Sequence, residues 1–311
     1  MILNIGNRTD IPGFYSDWFY KRIQEGYVFV RNPYNPFNVT KYLFDPEIID
    51  GMIFCTKNPF PMLERISLLS IYDTFWFVTI TPYEKDVEPY VPTKAKVIHS
   101  FQLLSEQVGR ERISWRYDPI FITSKYSIDY HIEQFGQMAN ELSKYTRQCV
   151  ISFLDLYEKT KRNFKGVGSV TNHEQEQLVY AFSTIGKKYG LQIHLCCENK
   201  SLVRENVDAD GCMSKHVLEK AWKFQLEVPK KKMARKECPC LITADIGAYN
   251  TCGHGCLYCY ANDNRERVMR NMKMHDKDSP LLIGKIKEED VITLGEQKSW
   301  KNGQIHMFDI M

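Results

Sequence analysis

Three cysteines stand at CxxxCxxC spacing in the segment Tyr249-Asn250-Thr251-Cys252-Gly253-His254-Gly255-Cys256-Leu257-Tyr258-Cys259-Tyr260-Ala261-Asn262. A loop of this spacing can wrap three irons of a [4Fe–4S] cubane, with Gly253 and Gly255 letting the backbone pass close to the inorganic sulfides. Three thiolates leave one iron open. An open iron can take a substrate or cofactor through oxygen and nitrogen, which separates a catalytic cluster from an electron-transfer cluster held by four cysteines. Zinc is the competing ion, because it also takes cysteines at short spacing. The preceding Cys238-Pro239-Cys240 is nevertheless not the paired C-x2-C of a zinc ribbon. His254 reads either as a ligand or donor to the cluster or as a solvent-facing loop residue.

The chain has ten cysteines, and seven of them fall between positions 197 and 259. A chain of 311 residues builds its own core and does not need disulfide staples, so the crowding points to a C-terminal cysteine-rich metal-binding region. With the motif set aside, Cys197, Cys212, Cys238 and Cys240 remain, the number that a complete cubane or a structural zinc requires. They imply a second centre, unless one or two of them are ordinary buried cysteines. Cys55, Cys149 and Cys196 sit in or beside apolar strands and read as core.

The elements that must position these residues alternate. Short β-type runs end in polar clusters: LNI before Asn7-Arg8-Thr9-Asp10, YVFV before Arg31-Asn32-Pro33, MIFC before Thr56-Lys57-Asn58-Pro59 and FWFVTI before Thr81-Pro82-Tyr83. ISW before Arg116-Tyr117-Asp118-Pro119, VISF before Leu154-Asp155-Leu156-Tyr157 and QIHL before Cys196-Cys197-Glu198-Asn199 continue the series. Helical periodicity marks residues 93–109, 127–144, 174–189 and 213–224. A weak strand near Ala244–Ala248 would be the eighth. The order predicts parallel βαβ units and an α/β fold, a (β/α)8 TIM-like or partial barrel over residues 1–262, with 263–311 as a tail packed on it. Residues 225–240, with the basic run Lys230–Lys236, read as a solvated connecting loop, phosphate contact being the lesser alternative.

Barrel sites lie on the loops after the strands. Arg8, Asp10, Arg116, Asp118, Asp155 and Glu198 are therefore the candidates for catalysis, and Arg8, Asp10, Arg31, Asn32, Lys57, Asn58 and Tyr258 for holding a cofactor. Such a ring mixes guanidinium groups that bind anions with carboxylates that position ribose hydroxyls or move protons. Taken one by one, rim salt bridges explain each charge as well.

The composition, 43% hydrophobic and 13% aromatic, is that of a folded protein. A formal charge of +3, from 41 basic against 38 acidic residues, gives no global nucleic-acid signature. No stretch of about 18 apolar residues or secretory leader is evident, so a cytoplasmic protein without membrane contact is expected.

The motif, with the aromatic Tyr258 before its last cysteine, resembles the radical S-adenosylmethionine superfamily. The stretch Cys252-Gly-His-Gly-Cys-Leu-Tyr-Cys-Tyr-Ala is similar to the segment in relatives of spore photoproduct lyase. The resemblance implies that Cys252, Cys256 and Cys259 hold a [4Fe–4S] cluster, and that S-adenosylmethionine chelates the open iron. It further implies cleavage to a 5'-deoxyadenosyl radical and an electron donor such as ferredoxin or flavodoxin. The superfamily carries this loop after its first strand, whereas here it follows the last strand candidate, which fits a circularly permuted barrel. Across its length the chain resembles a bacterial family without an assigned reaction, marked by a C-terminal cysteine cluster of this kind. Arg8-Thr9-Asp10-Ile11-Pro12, Arg31-Asn32-Pro33, Thr56-Lys57-Asn58-Pro59, Arg116-Tyr117-Asp118-Pro119 and Phe153-Leu154-Asp155-Leu156-Tyr157 carry that match. Three functions are thus expected in descending order. The first is a radical S-adenosylmethionine-type enzyme with one cluster or two and an unknown substrate. The second is a redox iron–sulfur protein that does not cleave the cofactor, and the third a zinc-stabilised nucleic-acid-binding or repair-related protein.

Overall fold

Residues rich in β-branched and aromatic side chains fit a pleated, buried surface, and they form most of the strands. The computed structural model describes residues 1–229, 240–241 and 244–302. In chain order the strands are β1 (Ile2–Ile5), β2 (Tyr27–Arg31), β3 (Asn38–Leu43), β4 (Gly51–Thr56), β5 (Thr74–Thr79), β6 (Ile113–Ile120), β7 (Gln148–Phe153), β8 (Gln192–Leu195), β9 (Val207–Asp208) and β10 (Val291–Leu294). Seven of them form one parallel sheet in the order β1-β4-β5-β6-β7-β8-β9. The helices are α1 (Ile11–Phe14), α2 (Ser16–Glu25), α3 (Lys94–Val108), α4 (Ile128–Leu142), α5 (Glu158–Asn163), α6 (Asn172–Tyr189), α7 (Lys215–Trp222) and α8 (Arg265–Lys273).

Both faces of the sheet are covered, as a parallel sheet requires. Along β5, Trp76 and Val78 enter the main core, while Phe75 and Phe77 face a second apolar cluster with Leu218 and Trp222 from α7. On the main-core face, Trp115 stacks on Phe135 of α4, and Phe135 stacks on Phe182 of α6 with ring centroids 4.0 Å apart. The Ser127 hydroxyl accepts from Tyr130 N to start α4, and a Thr171–Glu174 capping box starts α6.

The α/β class and the parallel sheet agree with expectation; a closed barrel does not form among the described residues. The expected eighth strand is a single parallel bridge, Asn4 to Asp245, on the outer edge of β1, and no ladder joins it to β9. One bridge is too short to close a barrel. The run YVFV also departs from expectation. It becomes β2 of a separate sheet, antiparallel to β3, with β10 parallel to β3 on the other side. Asn32 is the reason: its Oδ1 accepts from the backbone N–H of Tyr34 (2.9 Å) and Asn35 (3.2 Å), a turn that reverses the chain into a hairpin. The segment after residue 263 is more regular than its polarity suggests, supplying α8, β10 and Trp300, which is buried in the second cluster. Among the described residues no helix is long and apolar enough to cross a membrane. Cys238 and the run Lys230–Lys236 lie outside the described residues.

Two glycines check this packing with opposite signs. A Cβ at Gly51 on β4 would stand 2.4 Å from the Trp222 ring, whose Nε1 is tied to Thr74 O at 3.1 Å. Gly51→Ala should therefore destabilise by about 1–3 kcal/mol. At Gly136, inside α4, the nearest atom to a new Cβ is 3.9 Å away. Gly136→Ala should stabilise by about 0.5–1 kcal/mol. Urea denaturation of both variants measures this; a neutral Gly51→Ala would mean that Trp222 does not pack against β4.

Candidate metal centre at the strand ends

Because the sheet is parallel, the loops after β1, β4, β5, β6, β7 and β8 emerge at one end, and the cysteine loop lies there. Asp10 holds it. The Asp10 carboxylate is buried and accepts four hydrogen bonds: at Oδ1 from Gly13 N (2.8 Å) and Thr56 Oγ1 (2.7 Å), at Oδ2 from Lys57 N (2.8 Å) and His254 Nε2 (2.7 Å). One side chain thus joins the end of β1, the N-cap of α1, the loop after β4 and the cysteine loop. Around the loop, Tyr15 donates to Thr251 O at 2.6 Å, Asn262 donates to Cys252 O at 2.9 Å, and Leu257 N binds Val87 O at 3.0 Å. His254 is buried rather than solvent-facing, and its Nδ1 has no partner. The glycines are sterically required: a Cβ at Gly253 would lie 2.8 Å from the Phe14 ring, and Gly255 has φ +69° with Tyr90 2.8 Å from its would-be Cβ.

The electrostatics of the loop suit a cation. Burial pushes the Cys252, Cys256 and Cys259 thiols up, and mutual repulsion among the sulfurs raises Cys252 further. Such thiols ionise when positive charge arrives, and a metal is the usual source. Lys57 is already close. Burial disfavours its ammonium, but Glu88 and the Cys256 sulfur outweigh that and raise its pKa. Its Nζ lies 2.9 Å from Glu88 Oε1 and over the Tyr258 ring. Glu88 is buried, yet Lys57, Thr81 and Tyr258 hold its carboxyl below the usual range. Thr81 Oγ1 donates to Glu88 Oε1 at 2.6 Å, and the Tyr258 hydroxyl donates to the same oxygen. Glu88 escaped the sequence reading because it sits in an irregular loop with no motif around it. A cavity of about 600 Å³ opens beside it, lined by Thr81, Tyr83, Lys85, Lys94 and Tyr130 among others.

A second group of thiols surrounds the side chain of Arg116. Cys212 Sγ lies 3.8 Å from Cys196 Sγ and 3.6 Å from Cys240 Sγ, while the Arg116 guanidinium is 3.8 Å from Cys212 and 3.9 Å from Cys196. Cys196, which reads from sequence as core, belongs to this group. Arg116 pairs with Asp118 at 2.7 Å, and Asp118 also accepts from Ser152 at 3.3 Å. No disulfide joins the described cysteines. Among the described residues, no three His, Cys, Asp or Glu side chains are arranged to hold a metal ion as they stand.

The other candidates separate into two sets. Arg8 is half-buried at this end, its guanidinium over the Tyr249 ring. Asn58 follows β4, its backbone N bound to Thr56 Oγ1 at 2.8 Å. Asp155 is exposed after β7 and accepts from the Tyr157 hydroxyl at 3.1 Å. Glu198 accepts from Phe153 N at 2.7 Å, and burial, with Asp155, Cys196 and Asp118 nearby, raises its carboxyl to about 7. Arg31 and Asn32 stand apart on the small sheet, where Arg31 Nη2 binds Asp290 Oδ2 at 2.6 Å. Asp10 is held by the chain itself. Its four acceptor contacts go to the chain, and through His254 they tie the cysteine loop in place.

The family described as "Domain of unknown function (DUF1848)" matches residues 2–261. The chain belongs to that family. The match spans β1 through the cysteine loop, and the resemblance to radical S-adenosylmethionine enzymes stays confined to the cysteine motif. No curated protein matches the chain. Among solved structures, a candidate alpha-L-fucosidase from Bacteroides thetaiotaomicron is 16% identical over 42% of this chain and 40% of its own, with a TM-score of 0.27. Likeness at that level carries no argument about this family's fold or chemistry.

If Asp10 holds the loop, Asp10→Ala should cost about 3 kcal/mol, since four donors lose a buried carboxylate. It should also speed alkylation of Cys252 and Cys256. Asp10→Asn, which keeps one acceptor oxygen, should lose less on both counts. Wild-type stability and wild-type thiol reactivity in Asp10→Ala would remove Asp10 from this role.

Proposed function

We propose that the protein is an iron–sulfur enzyme whose [4Fe–4S] cluster is held by Cys252, Cys256 and Cys259, acting by radical S-adenosylmethionine-type chemistry. The observation that carries this is the half-buried three-thiol loop tied by His254 to Asp10 at the end of the sheet where the strand-end loops converge. The donor set fits a cubane. Each thiolate of a cubane binds a different iron, so its sulfurs need not converge on one point. Gly253 and Gly255 keep side chains out of the loop's close contacts, and the unpartnered His254 Nδ1 and Asn262 Oδ1 are buried polar atoms beside the thiols. When bound with S-adenosylmethionine at its open iron, the cluster would supply the electron for reductive cleavage to a 5'-deoxyadenosyl radical.

The chain's own residues have separable tasks in this reading. Lys57 supplies positive charge near the thiolates, and Arg8, over the Tyr249 ring at the same end of the sheet, can bind a carboxylate-bearing cofactor. Glu88 orients both Lys57 and Tyr258, and the cavity beside it offers a place for substrate. A basic run is not needed for any of these steps, and the near-neutral charge gives nucleic acid no particular role.

Anaerobic reconstitution with iron and sulfide, followed by reduction with dithionite in the presence of S-adenosylmethionine, tests the proposal. The expected result is about four irons in the Cys252–Cys259 loop, lost in the Cys252/Cys256/Cys259 triple alanine variant, together with 5'-deoxyadenosine. A cluster without 5'-deoxyadenosine would instead mark a redox protein. Stoichiometric zinc with no iron uptake would reject both.

A further inference from the structure

We propose that Cys196, Cys197, Cys212 and Cys240 form a separate mononuclear site that holds one zinc ion by four thiolates and ties the β9 edge of the sheet to the segment leading back to β1. This site is independent of the Cys252–Cys259 loop.

Spacing is the first argument. Zinc binds thiolate sulfur at about 2.3 Å, and a tetrahedron of that radius has edges of about 3.8 Å. The observed Sγ separations about Cys212, 3.8 Å to Cys196 and 3.6 Å to Cys240, are of that length. A cubane would spread its cysteines over separate irons and push the sulfurs farther apart. The fourth donor is adjacent, since the Cys197 thiol hydrogen-bonds that of Cys196. Just past the end of β8 the chain turns at Cys197 with φ +60°, a left-handed conformation disfavoured for a non-glycine residue. Strain of this kind at a thiol pair marks a position held for its chemistry.

The surroundings fit a structural ion. Met213 N lies 3.4 Å from Cys240 Sγ, a backbone donor to the sulfur. Zinc with four thiolates carries two negative charges, and the Arg116 guanidinium against Cys212 and Cys196 offsets some of that charge. Phe75, Phe77, Met213 and Leu218 share an apolar cluster with Cys212, against which the half-buried Cys196 and Cys240 pack. As thiols, the sulfurs share S–H···S contacts. Loss of those protons and small χ1 rotations would turn the contacts into bonds to one ion. The topology gives the ion a purpose. Cys196 and Cys197 follow β8 and Cys212 follows β9, while Cys240 precedes the residues that bridge β1, with Leu241 N bound to Met213 O at 2.9 Å. The ion would hold together the two ends of a sheet that no ladder closes among the described residues.

The full-length Cys252/Cys256/Cys259 triple alanine variant isolates this group, so its result stands whatever happens at the iron loop. Metal-free triple variant is titrated with zinc alone and, in parallel, with cobalt(II) alone, then alkylated and mapped by mass spectrometry. The expected result is one zinc per chain, a tetrahedral thiolate spectrum with cobalt, and alkylation of Cys196, Cys197, Cys212 and Cys240 slowed roughly tenfold or more. The wild-type chain, reconstituted first at its iron loop, should show the same protection, which guards against misfolding of the variant. No zinc uptake, protection that omits Cys212, or a cubane spectrum in the triple variant after iron and sulfide would each overturn the proposal.

Discussion

A buried carboxylate is costly unless its oxygens are satisfied, and Asp10 is satisfied by four donors from three separate stretches of the chain. Gly13 N belongs to its own helix start, Thr56 and Lys57 to the loop after β4, and His254 to a loop more than two hundred residues later in sequence. None of these partners can move far without stranding the charge. The position of the cysteine loop therefore follows from a local N-cap, and the loop's own bonds to Tyr15, Val87 and Asn262 complete the hold.

From that anchor the rest of the end of the sheet follows as a matter of charge. Three half-buried thiols resist ionisation, and Lys57, itself kept in place by Glu88, brings positive charge to Cys256 and Cys259. Arg116 on β6 has the corresponding role farther along the sheet, between Asp118 and the Cys196–Cys212 pair. Two thiol groups of different geometry thus share this end of the fold. The first is a CxxxCxxC loop and the second a compact set with Cys212 Sγ 3.8 Å from Cys196 Sγ and 3.6 Å from Cys240 Sγ.

Much of this was legible in the sequence. The strand runs and the helices near residues 94–108, 128–142 and 172–189 announced themselves by period, because burial on a sheet or helix face leaves that imprint. The CxxxCxxC spacing was equally plain. What could not be read were contacts made across the fold. Nothing near Asp10 in sequence names His254, Glu88 sits in an irregular loop without a motif, and Cys196 looked like another apolar strand residue until Cys212 and Cys240 were found beside it. YVFV had the composition of a central strand, and only the Asn32 turn sent it into a second sheet. Among the described residues the barrel does not close for a related reason, since eight strand candidates did not guarantee that the last would be longer than one bridge.

Diffraction from anaerobically grown crystals of the reconstituted full chain, collected on either side of the iron and zinc absorption edges, tests the central claim most directly. The account predicts iron anomalous density against Cys252, Cys256 and Cys259, on the loop that His254 ties to Asp10. Iron density elsewhere with that loop vacant, or zinc alone at those three cysteines, would contradict it.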